Sequence, residues 1–129
     1  MVRTHAFAAE LANDKFRSGD YEQIVLKQMG TADESTVFLE MDATNGYAAQ
    51  DCDSSKFGTA STDGTIANTA AFTYSASGGG WAAPAVGTAI KRKSDGQITD
   101  AQQFSTPKTL DGAGDSLVLD IGAVTGSEA

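Results

Sequence analysis

The sequence has one histidine, His5, and one cysteine, Cys52, among its 129 residues. A lone His rules out a histidine-built metal cluster, and near the chain start it reads as a solvated side chain rather than the base of a Ser-His-Asp triad. A lone Cys rules out an internal disulfide, and with it a disulfide-stapled secreted module. Cys52 also lies between Asp51 and Asp53, whose charges raise a thiol pKa, so it reads as a small strand residue and not as a nucleophile. Basic residues are scarce as well: 9 Lys and Arg stand against 17 Asp and Glu, for a formal net charge of −8. That balance argues against nucleic acid and against an anionic membrane as partners. No apolar run approaches the roughly 18 residues needed to span a bilayer. The segment from Met1 to Glu10 lacks the apolar stretch of a signal peptide, so a soluble product made in a cytosol is expected.

What the chain has in quantity is small residues. Ala, Gly, Ser and Thr supply nearly half of it, while Pro occurs only 2 times. Such a composition suits closely spaced strands and tight turns, and the length suits one domain with one core. Phe7, Ala8, Leu11, Ala12 and Phe16 recur at helical spacing, with Arg17 in the last turn and Gly19 after it. The expected organisation is an N-terminal arm and short helix over 1–20, followed by a β domain over 21–129.

Strand signals then take over. They fall at Tyr21 to Met29, Thr36 to Met41, Tyr47 to Cys52, Thr65 to Ser75, Val86 to Lys91, Gln97 to Phe104 and Ser116 to Ile121. Asn45-Gly46 reads as a hairpin turn because both residue types tolerate positive φ, and Asp95-Gly96 as another turn. The stretch from Asp53 to Gly64 reads as a surface loop anchored by Phe57. Strands about every ten residues, divided by such turns, predict a mainly β fold. The expected form is a single antiparallel β-sandwich, jelly-roll-like or immunoglobulin-like, with a short N-terminal helix.

No motif carries chemistry. Asp33, Glu34, Asp51, Asp53, Asp111 and Asp115 lack the alternate spacing and closing Glu of a calcium loop, so turn chemistry explains them better. A cation at a subunit contact stays open. Gly78-Gly79-Gly80-Trp81 is glycine-rich like a phosphate loop but has no following Lys-Ser/Thr and no helix pattern after it. Trp81 reads as a core ring ahead of an exposed contact ring. Lys91-Arg92-Lys93, the one basic run, reads either as a solvated strand end or as a contact for an acidic partner, another copy of the chain included. The expectation is no catalytic residue, no cofactor, no metal and no enzyme activity.

The order of features resembles small tailed-bacteriophage virion proteins labelled tail fibre, minor tail or head decoration protein. The resemblance runs from the helix at Leu11 to Gly19 through Ile24-Val25-Leu26 to Thr31-Ala32-Asp33. It continues through Gly46-Tyr47-Ala48-Ala49, Ala71-Phe72-Thr73-Tyr74 and Trp81. The closing block is Thr106-Pro107-Lys108-Thr109-Leu110, Gly114-Asp115 and Leu117-Val118-Leu119. Lys27 and Gln28 are polar where the family is apolar, Ala49 replaces an Arg, and no Gly follows Trp81.

The resemblance implies a non-enzymatic structural virion component made in the host cytoplasm, with no known cofactor. The favoured role is capsid decoration or cement. Its partners would be the major capsid protein or a tail protein, and its own copies in a homo-oligomer, a trimer favoured. Edge strands, Phe7 and Leu11 on the helix, the rings Tyr47, Phe57 and Trp81, and the run Lys91, Arg92 and Lys93 are the expected protein contacts. A tail or fibre-base protein is the alternative. A carbohydrate-binding module that offers Trp81 as a sugar platform is a further one.

Overall fold

The computed structural model describes residues 4–31 and 36–127. The chain is mainly β, with one helix, α1 (His5–Arg17), and the strands β1 (Ser18–Gln28), β2 (Leu39–Glu40), β3 (Gln50–Asp53), β4 (Thr65–Ala67), β5 (Phe72–Ser75), β6 (Ala85–Arg92), β7 (Ile98–Lys108), β8 (Ser116–Leu119) and β9 (Thr125–Ser127). The main sheet runs β2-β1-β6-β7, with β3 also paired to β1. Two small sheets pair β4 with β9 and β5 with β8. The residues group into two compact units, neither of which is the helix alone.

The first unit draws on Met1–Glu22, Asp51–Phe72 and Leu119–Ala129. Thr4 caps the helix by accepting the Phe7 amide at 3.3 Å, and Lys15 and Arg17 occupy the last turn, where the helix dipole favours cations. Ala8, Ala12 and Phe16 recur every fourth residue and are buried, while Phe7 is 50% exposed. A short helix is not stable by propensity alone, and this one packs on β4 and β9. Gly126 of β9 permits the approach, because a Cβ there would overlap the Phe16 ring. From Phe16 an aromatic chain continues to Phe57, centroids 5.1 Å apart, and from Phe57 to Phe72 at 5.9 Å. Phe57 therefore anchors its loop as expected.

The second unit comprises Gln23–Gln50 and Thr73–Val118. Ile24 and Leu26 of β1 and Ala89 of β6 form its core, with Met29, Phe38, Val86 and Ile98 packed around them. Antiparallel pairing of β6 and β7 sets Gly87 opposite Gln103, Ala89 opposite Ala101 and Lys91 opposite Ile98. The Asp95-Gly96 turn closes this hairpin through an Arg92 amide to Gln97 carbonyl bond of 2.8 Å.

Several sequence expectations shift. Asn45 and Gly46 do adopt left-handed φ values of 51° and 91°, as a tight primed turn requires. Yet the flanking strands β2 and β3 form no hairpin with each other: both pair with β1. The strand expected over Thr36 to Met41 shortens to Leu39–Glu40, where the register with β1 shifts between Leu26 and Gln28. There the Gln28 side chain, not a backbone amide, donates to the Val37 carbonyl at 2.7 Å. β7 runs past the expected Phe104 through Pro107 to Lys108, which a sheet-edge position tolerates because no inner neighbour needs the missing amide hydrogen. β9, a Thr-Gly-Ser segment without apolar alternation, was not expected at all. Ala32, Asp33 and Glu34 lie outside the described residues, and so does the His5 side chain.

Candidate interaction surfaces

The three rings that the resemblance implies as contacts are core residues, which agrees with the reading of Trp81 as a core ring and of Phe57 as a loop anchor. Tyr47, Phe57 and Trp81 are 5%, 0% and 7% exposed. The reason is mutual packing. Tyr47 and Tyr74 stack at 5.9 Å, and Trp81 stands edge-on to both, at 5.4 and 6.2 Å. The glycines before Trp81 lead the chain into this cluster, where the Trp81 amide donates to the Leu110 carbonyl at 2.7 Å and the Asn45 side chain donates to the Gly80 carbonyl at 2.5 Å. With Trp81 only 7% exposed, little of its indole face is open for a sugar to stack on.

Tyrosines buried in a core need partners for their hydroxyls, and both find them on β1. The Tyr74 hydroxyl donates to the Gln23 carbonyl at 2.8 Å. The Tyr47 hydroxyl accepts the Val25 amide at 3.1 Å and donates to Glu40 Oε2 at 2.8 Å. Glu40 Oε1 in turn accepts Lys91 Nζ at 2.5 Å, with both side chains about three-quarters buried (22% and 26% exposed). Lys91, Glu40 and Tyr47 thus form one charge-assisted relay ending on the backbone of a central strand. Sequence spacing had no means of finding Glu40, which lies far from Lys91 along the chain.

The relay alters the reading of the basic run. Lys91 is engaged by Glu40, and Arg92 holds Asp95 through Nε to Oδ1 at 3.1 Å and a second nitrogen to Oδ2 at 2.6 Å. That guanidinium, with the Gln97 amide, lowers the Asp95 carboxyl to about 2. Lys93 is exposed. Lys91 and Arg92 are therefore engaged within the second unit, on β2 and on the β6–β7 turn. They do not form a continuous basic patch.

Of the helix candidates, Phe7 is half exposed and Leu11 is partly buried. Other apolar side chains reach the surface that the sequence did not single out: Ile121 at 69%, Val37 at 64% and Val118 at 45% exposed. An open groove of about 810 Å³ in the second unit lies between Thr36, Val37 and Phe38 on one wall and Gln97 to Ala101 on the other. Its lining mixes Thr, Gln and Asp with Phe38 and Ile98 and gathers no set of convergent charges. Among the described residues, no cluster of three His, Cys, Asp or Glu side chains is placed to hold a metal ion. No described helix is long and apolar enough to cross a membrane. Cys52 is buried, and desolvation, with Asp51, Asp53 and Glu22 adding to it, pushes its thiol up to about 12.

Compared with known proteins, the chain matches no family model, no curated protein and no solved structure.

Proposed function

We propose that the chain is a non-enzymatic structural subunit of a tailed-phage particle, acting as a capsid decoration or cement protein in a homo-oligomer. The reading starts from the family resemblance. The observation that carries it furthest is β7, an 11-residue strand at the end of the main sheet whose residues are exposed along almost its whole length. Small core, buried aromatic rings and a long open edge fit a module that joins others by backbone pairing and small side chains. The sheet arrangement that goes with this reading is a face-to-face sandwich, jelly-roll-like or immunoglobulin-like. A trimer is the oligomer that the resemblance favours.

Quantitative mass spectrometry of virions produced from the encoding genome tests it. Hundreds of copies per particle support a decoration role on the head lattice. About a dozen or fewer would move the chain to a tail tip or fibre base, the second reading within the same particle. Absence from purified particles would overturn both.

A further inference from the structure

Edge strands present a row of backbone N–H and C=O groups with no partner, and proteins protect them by keeping them short, charged, bulged or covered. β7 is long, and only Ile98, Asp100 and Phe104 along it are even partly buried. β6 is its one neighbour among the described pairings. From Ala101 to Thr106 it carries no charge. At its far end Phe104 to Pro107 stand against Val86 alone, because the register shifts between Ala85 and Gly87. That stretch is incompletely matched even on its inner side.

We propose that β7 pairs antiparallel with β7 of a second copy of this chain, about a two-fold axis at Phe104. The two charged residues of the strand select the register. Asp100 and Lys108 lie equally far before and after Phe104, so pairing about that residue sets Asp100 of each copy opposite Lys108 of the other. No other antiparallel self-pairing opposes these two charges, and pairing about Asp100 or about Lys108 would oppose like charges. In the chosen register Gln102 faces Thr106, Gln103 faces Ser105, and the two Phe104 rings meet at the axis. Opposite charges and an aromatic pair directly across antiparallel strands are both stabilising. Pro107 faces Ala101 near each end, where its missing amide hydrogen removes one backbone bond while the Asp100–Lys108 side-chain pair stands just beyond it. Asp100 also accepts the Thr99 hydroxyl at 2.8 Å, which holds its carboxylate on this strand.

The contact deepens the virion reading by naming one partner. It is a two-fold contact and generates a dimer, not a trimer. Because it is tested on the purified chain, its outcome is separate from whether the chain is found in particles.

Sedimentation velocity of the full chain over a concentration series reaching millimolar gives the primary readout, with a monomer–dimer equilibrium expected. Asp100→Lys and Lys108→Asp each bring like charges together twice per dimer and weaken it about tenfold or more. Mixing those two variants restores opposite charges at both ends, and a heterodimer forms that neither variant forms with itself. Phe104→Cys provides a measurement that does not rely on charge. Oxidation links the two copies at the axis, and the unmodified chain stays unlinked because Cys52 is buried. A chain that is monomeric at every concentration overturns the proposal. So does a dimer indifferent to both charge variants, or a mixture that fails to reassociate.

Discussion

Asn68 and Val124 hold each other by two hydrogen bonds: the Asn68 amide donates to the Val124 carbonyl at 3.0 Å, and Asn68 Oδ1 accepts the Val124 amide at 2.9 Å. The Asn68 side chain also donates to the Ala70 and Asp120 carbonyls, at 2.9 and 3.0 Å, and its own carbonyl accepts the Gly122 amide at 3.0 Å. With Asn68 1% exposed, this one side chain satisfies the backbone of the loop leading into β9.

Asn68→Ala removes three side-chain bonds and strands buried backbone groups. The expected loss is about 2–4 kcal/mol, read from the urea midpoint at constant slope. Asn68→Asp keeps the acceptor for Val124 but faces two carbonyls with a buried carboxylate, and should unfold at still lower urea. A loss of a few tenths would show that the loop finds other partners.

Trp81 is buried, and its indole nitrogen has no hydrogen-bond partner among the described residues. Its contribution is therefore packing against Tyr47 and Tyr74, with no polar bond to lose. Trp81→Phe should cost less than about 1.5 kcal/mol, whereas Trp81→Ala should cost about 3–5 kcal/mol. Chemical denaturation followed by far-UV circular dichroism distinguishes the two, since both variants lack the tryptophan signal. Equal and large losses would mean that the nitrogen is bonded after all.

The buried thiol of Cys52 makes a chemical and a pH prediction. In the folded chain its pKa of about 12 keeps it neutral and shielded, so iodoacetamide near pH 8 should modify it only once urea unfolds the protein. The unfolded thiol ionises near its ordinary value of 9.0, well below the folded one. The neutral form thus favours the folded state fully below pH 9, and that advantage is lost as pH rises from 9 towards 12. Cys52→Ala should flatten this alkaline limb of the stability curve. Rapid labelling of the native chain at pH 8 would overturn the assignment.

Local signals were read from the sequence where they act locally. The spacing of Ala8, Ala12 and Phe16, the Asp95-Gly96 turn and the alternation of Phe72 and Tyr74 each follow from the chain's own period, and each lies where it was expected. Pairing was less legible. Asn45-Gly46 specifies the shape of its turn but not what the flanking strands bond to, and both strands chose β1. β9 has no hydrophobic pattern to announce it, because what holds it is Gly126 against Phe16 and the clasp at Asn68.

The sequence by itself determined the mainly β character, the helix at the start, the single neutral thiol and the acidic balance, since these depend on composition and short-range periodicity. Only the tertiary structure decided which side chains remain available to a partner. It turned Tyr47, Phe57 and Trp81 inward because large rings lose most water-exposed area by packing on one another. Lys91 was drawn onto Glu40 in a partly buried setting, and Arg92 grips Asp95 at the exposed turn through two parallel hydrogen bonds. That left the backbone edge of β7, a feature that no residue type encodes, as the surface from which an interaction can be argued.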